Sequence, residues 1–247
     1  MNASSTSPNS KPRGASRDLA LVAPKLRRSA WWVVACSSLL VALGGIIAHG
    51  DRAPLAIEIR VQDAVDARFG NTEMWKHAFG TGIPRTGLIV FLLLITWTLT
   101  RRWWRGMAAC AAVPIAVATS EHVLKPLVDR MDTGNPELFY PSGHLTGVGA
   151  ITALVVVLVA PSFARVGVRW SIVGACAVAM GVALLATVAG HGHGPLDALA
   201  GLPTGVAITL AWVLLVDTGF DCAAPNTSVP RGRARRRETR PGDTSLP

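Results

Sequence analysis

Six apolar runs separated by short polar turns leave few folds open to this chain. They cover Trp31–His49, Ile83–Thr100, Met107–Val123, Leu145–Ala160, Ser171–Ala189 and Ala198–Val216, the first of them 19 residues long. A bilayer's hydrocarbon core is about 30 Å thick and takes about 20 helical residues to cross. Inside it each backbone polar group must be satisfied within its own segment, which a helix achieves. The expected fold class is therefore all-α, an integral membrane bundle of six transmembrane helices. Charge content agrees: 16% of the residues are charged, against roughly 25% in soluble domains. A signal peptide competes for the first run, because basic residues precede it. The run is long for that role, however, and the cleavage-site candidates around Ala48 are weak.

The length suits one domain, residues 30–217, between two polar tails. Residues 1–29 are rich in Ser, Pro, Asn and basic side chains and cannot bury a core, so disorder is expected there. The same expectation holds for residues 218–247, where Arg231, Arg233, Arg235, Arg236, Arg237 and Arg240 cluster. Between the first two runs, residues 50–82 carry Leu55, Ile59, Ala64 and Val65 among charges, the pattern of an external amphipathic segment lying on the membrane. Cys36, Cys110 and Cys176 fall in apolar runs and Cys222 in the tail. No metal-type spacing or disulfide framework emerges from them.

The formal charge of +9 reads as a topology signal. With the N-terminus inside and six crossings, 17 of the 24 Lys and Arg residues fall on the inner side. Positive residues favour the cytoplasm, so both termini are expected there, and the Arg101-Arg102-Trp103-Trp104-Arg105 turn marks the inner interface. No basic face with interleaved aromatics appears, so a nucleic-acid partner is not expected. The same topology places all six histidines outside: His49, His77, His122, His144, His191 and His193.

Three groups of residues then gather at the outer helix ends, where ionisable side chains are often functional. Pro141-Ser142-Gly143-His144 opens the fourth run. Free N–H groups at a helix start form an anion site, Gly143 lets an oxyanion approach the backbone, and His144 can supply a proton. The bland alternative is an N-cap followed by a surface histidine. Gly190-His191-Gly192-His193-Gly194-Pro195-Leu196-Asp197 opens the sixth run, with Pro195 suited to a first helical turn. His193 and Asp197, four apart, share a face. A carboxylate holding one imidazole nitrogen would leave the other free to attack. A helix-start cluster without chemistry, or a metal site of His191, His193 and Asp197, are the rival readings. Lys125 and Arg130 follow the third run. They suit a phosphate, Lys as a point charge and Arg as a fork, or else they snorkel to the interface.

In this order the three groups resemble the type-2 phosphatidic-acid phosphatase superfamily, whose motifs are Lys-x6-Arg-Pro, Pro-Ser-Gly-His and Ser-Arg-x5-His-x3-Asp. Lys125 matches the first motif's lysine, Pro141 to His144 match the second in full, and His193 with Asp197 match the end of the third. The likeness spans residues 50–216. Asp132 stands where the first motif has Arg, with Arg130 two positions earlier, and Ala186 and Thr187 replace the Ser-Arg pair.

The resemblance implies a metal-independent enzyme without a cofactor, acting at the extracytoplasmic face of the cell membrane. It would hydrolyse a lipid phosphate monoester or diphosphate, with polyprenyl diphosphate, phosphatidic acid and phosphatidylglycerol phosphate as candidates. It further implies that His193 forms a phosphohistidine, that Asp197 orients it, and that His144 protonates the leaving oxygen. Lys125, Ser142, Gly143 and Arg130 would hold the phosphate oxygens. Lys125, His144 and His193 are accordingly expected to converge on one oxyanion. The missing arginines motivate an alternative, a catalytically degenerate relative that binds a lipid phosphate or a protein partner.

Overall fold

The computed structural model describes residues 20–50, 53–70, 73–132 and 135–223. Among these the chain is helical apart from one small ribbon. The helices are α1 (Pro24–Ala48), α2 (Ala56–Phe69), α3 (Glu73–Thr100), α4 (Trp104–Val128), α5 (Gly143–Ser162), α6 (Val166–Ala189) and α7 (Pro195–Ala223). All except α2 are long and apolar enough to cross a membrane. Between α4 and α5, β1 (Met131–Asp132) and β2 (Asn135–Leu138) pair antiparallel. Leu39, Leu40, Leu88, Leu92, Leu93, Val178 and Val182 are exposed on the helices. So much outward apolar surface suits lipid and not water, and the chain is a multi-pass membrane protein.

Small residues build the centre of the bundle. Gly149 of α5 packs against the backbone of α7 at Leu202 and Gly205, and Gly201 of α7 packs against the start of α5. A Cβ at Gly201 would lie 2.6 Å from the Ser142 carbonyl oxygen, and one at Gly205 would collide with that of Thr146. Within lipid, helices associate by close packing, and small residues let the backbones meet. This crossing seats the start of α5 directly beside the start of α7. Tyr140, fully buried, closes the same end by donating to the Val41 carbonyl of α1 at 2.5 Å.

Several boundaries differ from expectation, each for a local reason. Helix α1 begins at Pro24, inside the expected tail, because buried Asp217 accepts the Leu21 and Val22 N–H groups at 2.9 Å each and anchors the chain just ahead of it. Helix α7 runs past Val216 to Ala223, since Asp217 and Asp221 are both neutralised by Arg105. The rest of the two predicted tails lies outside the described residues. Of the external segment, only α2 stands apart from the spans. Residues from Glu73 onward already belong to α3. Helix α4 runs past the expected end of the third run at Val123, because Lys125–Val128 are still helical.

The two ends of the bundle are unlike. One carries the Asp217 cluster and the exposed Trp31, Trp32, Trp104 and Trp170, an arrangement that matches an interfacial aromatic belt. The other gathers α2, the ribbon and the starts of α3, α5 and α7, and there the candidate site lies.

Candidate functional site

Two local irregularities shape this end. Helices α3 and α4 each contain one π-turn here, Ala78–Gly82 and Ser120–Leu124. Such turns insert a residue and are frequent at functional sites. The first carries Phe79. The second carries Glu121 and sets the direction of Lys125.

Lys125 is mostly buried, with its Nζ 2.7 Å from Glu121 Oε2. The Glu121 carboxylate also lies against Gly143, where a Cβ would collide with its Oε1. The anion seat at the start of α5 is thus occupied by an acid of the chain itself. Ser142 is fully buried and caps α5: its Oγ accepts the Leu145 N–H at 3.5 Å, while its own N–H donates to the Asp197 carbonyl at 3.0 Å. Its hydroxyl serves the helix end. Thr146 secures the cap by donating to the Ser142 carbonyl at 2.9 Å.

The expected pairing of Asp197 with His193 is not formed. The Asp197 carboxylate instead accepts from Arg130 Nη1 at 2.7 Å, and Arg130 Nη2 donates to Glu58 of α2 at 2.5 Å. All three are buried, at 5%, 3% and 3% exposure for Arg130, Glu58 and Asp197. Burial opposes the charge on Arg130, but Glu58 and Asp197 outweigh it and hold the guanidinium firmly ionised. Glu58 spends its other oxygen on the Leu196 N–H at 3.1 Å. Arg130 therefore clasps α2 to the start of α7, with both terminal nitrogens engaged. The physical reason is charge balance: two buried carboxylates require a cation between them.

His193 sits in an aromatic niche. Its ring meets Phe139 edge-on at 5.3 Å between centroids and Phe79 at 6.0 Å. Its Nδ1 is buried with no partner among the described residues. Burial first, then the charges of Lys125 and His144, push its pKa down to about 4. At neutral pH it is an uncharged imidazole with an unused nitrogen. His144 is exposed and stacks obliquely on the same Phe79 ring at 4.9 Å.

Lys125, His144 and His193 are thus brought into one electrostatic neighbourhood, but not into one cavity. His193 lines a polar hollow of about 260 Å³ beneath α2, together with Glu58, Arg130, Phe139, His191 and Asp197. His144 lines a separate apolar groove of about 440 Å³ between α3, α4 and α5, which also reaches Glu121 and Gly143. The single shared oxyanion pocket expected from the sequence is divided between these two cavities, and the Phe79 ring packs against both His144 and His193.

His191 turns away from His193. It has a left-handed backbone (φ 53°), and its Nε2 lies 3.1 Å from Asp66 Oδ1 of α2. Among the described residues no group of three or more His, Cys, Asp and Glu side chains is placed to hold a metal, so the metal grouping of His191, His193 and Asp197 is not assembled.

Three participants escaped sequence reasoning. Glu121 left a signal, an acid inside an apolar run four residues before Lys125. Glu58 left a weaker one: it accepts the Leu55 N–H at 2.9 Å as the third residue of its helix, a capping pattern. Phe79 left none. Comparisons with known proteins add no assignment: no family model, no curated protein and no solved structure matches this chain.

Proposed function

We propose that this chain is a membrane lipid phosphatase of the type-2 phosphatidic-acid phosphatase kind, working through a phosphohistidine. One observation carries the reading: His193 is held neutral, with a buried and unpartnered nitrogen, beside Lys125 and His144 at one end of a six-span bundle. A neutral imidazole is the nucleophilic form, and a nearby cation offsets charge developing on a phosphoryl group. The groove that runs from His144 down among α3, α4 and α5 is lined by Leu88, Phe91, Val113 and Ile151. It suits a substrate with a hydrocarbon chain.

In this mechanism a nitrogen of His193 attacks phosphorus as the phosphorus–oxygen bond to the leaving group breaks. The departing oxygen takes a proton from protonated His144. Water then attacks the phosphohistidine, giving its proton back to His144, and inorganic phosphate leaves with His193 regenerated. Lys125 and the N–H groups at the start of α5 hold the phosphoryl oxygens once Glu121 withdraws. Asp197 and Arg130 position the α7 turn, and Ser142 holds the α5 start. The substrate is a lipid phosphate monoester or diphosphate, with polyprenyl diphosphate, phosphatidic acid and phosphatidylglycerol phosphate as candidates. The excess of basic residues at the other end supports an extracytoplasmic site with both termini inside.

Purified protein in detergent with EDTA should release phosphate from such lipids, with vanadate inhibiting. His193→Ala should lose about a thousandfold or more of kcat, as when a nucleophile is removed. Equal release by His193→Ala and the wild type would reject the mechanism, and activity restored only by zinc would replace it with a metal-dependent one. A second reading, a degenerate relative that binds without turnover, is favoured by the engagement of Arg130 and Glu121 with other side chains. Lipid-phosphate binding with no phosphate release would select it.

A further inference from the structure

We infer that Phe79 is a wedge that keeps the two histidines apart, and that a lipid phosphate whose chain lies in the groove beside His144 reaches His193 only by displacing this ring. The inference rests on the phosphatase reading for the identity of the displacing ligand, but the wedge itself is a matter of geometry. The Phe79 ring packs against both imidazoles, with centroids 4.9 Å from that of His144 and 6.0 Å from that of His193. It fills the space left by Gly192, where a Cβ would collide with ring atoms Cε1, Cζ and Cδ1. A side chain at 192 and a seated Phe79 therefore exclude one another. His144 lines the apolar groove and His193 the hollow beneath α2, so the ring packs against one residue of a compartment suited to a hydrocarbon chain and one residue of a compartment suited to a phosphoryl group.

The backbone around Phe79 is suited to movement. It occupies a π-turn, with Gly80 next to it and Gly82 three residues on. A Cβ at Gly80 would meet nothing within 4 Å, and one at Gly82 only the His77 carbonyl at 3.8 Å. No packing fixes these glycines, so they are free to absorb a change of backbone angle. With the ring swung out, both imidazoles face one space, as in-line transfer from a leaving oxygen near His144 to a nitrogen of His193 demands. Phe79 is in these terms a positioning and specificity-determining residue: a ligand with an apolar chain in the groove replaces the ring's contacts, whereas a small soluble phosphate ester does not.

The test reads access to His193 directly. Full-length protein in detergent is treated with diethyl pyrocarbonate, and carbethoxylation is located by fragment-ion mass spectrometry, with His77 and His122 as internal controls. Phe79→Ala and Gly192→Ala, the second of which retains the aromatic ring but denies it its seat, should both modify at His193 about tenfold faster than wild type, the gain expected when a minor open state becomes dominant. Phe79→Trp should not accelerate it. Unchanged rates at His193 in both Phe79→Ala and Gly192→Ala, with the controls unaltered, would overturn the wedge. Hydrolysis is measured in parallel, and Phe79→Ala should narrow the preference for a long-chain lipid phosphate over a water-soluble phosphate monoester. Wild-type turnover with no gain in access would sink the wedge and leave the phosphatase standing. A gain in access with no turnover in any variant would do the reverse.

Discussion

Replacing Arg130 separates a clasp from a phosphate ligand. The guanidinium is 5% exposed and joins two carboxylates that are each 3% exposed. Removing one partner of a buried charge set costs about 3–5 kcal/mol, because it strands the opposite charge away from water. Arg130→Ala strands two, so the upper part of that range applies. For a domain of this size 1 kcal/mol moves the melting temperature by roughly 2–4 °C, which predicts a loss of about 10–20 °C in detergent. The charge-balanced triple variant Arg130→Met, Glu58→Gln, Asp197→Asn should recover most of that loss, because no buried charge then lacks a partner. Thermal unfolding followed by tryptophan fluorescence reads both, and Trp75 near α2 reports on this end. A phosphate ligand behaves otherwise: its removal raises KM and leaves melting almost unchanged. An Arg130→Ala protein that melts like the wild type, or a triple variant no more stable than the single one, would refute the clasp.

Three further outcomes follow from the same geometry. Glu121→Gln removes a negative charge from the anion seat beside Gly143 and Lys125, so inhibition by vanadate should tighten by about tenfold, or roughly 1.4 kcal/mol; unchanged or weaker inhibition would mean the seat lies elsewhere. His193, with its pKa lowered to about 4, stays neutral in the fold while the unfolded chain takes up a proton near pH 6.5. Its effect on stability is absent above pH 6.5 and grows as a loss between pH 6.5 and 4, so His193→Asn should flatten that part of the stability profile in chemical denaturation, and an unaltered slope would contradict the burial argument. A membrane-impermeant maleimide should label Asp63→Cys on α2 in intact cells but reach Cys222 only after permeabilisation; the opposite pattern would invert the orientation.

How much of this was legible in advance depends on the range of the interaction involved. The spans were readable because crossing a bilayer is a local demand, met by each run's own length and apolarity. Their ends were read less well. Pro24 and Ala223 lie beyond the expected limits because Asp217, Asp221 and Arg105 cancel one another's charge, and that cancellation joins residues over a hundred positions apart. The meeting of Lys125, His144 and His193 at one end also followed from the sequence, since an even number of crossings separates the groups, none between Lys125 and His144 and two between His144 and His193, and topology alone assigns the face.

Partner choice within that end was different. His193 and Asp197 are four apart on paper and chemically suited, yet the carboxylate is taken by Arg130, because Glu58 on α2 brings a second buried acid that must be balanced. The sequence alone determined that the chain forms six helices long and apolar enough to cross a membrane and gathers its candidate site residues at helix ends. Only the tertiary structure decided which acid pairs with which base and that the Phe79 ring packs against both His144 and His193. Those outcomes depend on desolvation and on contacts a few ångströms across, set by helices distant in sequence, and no local pattern encodes them.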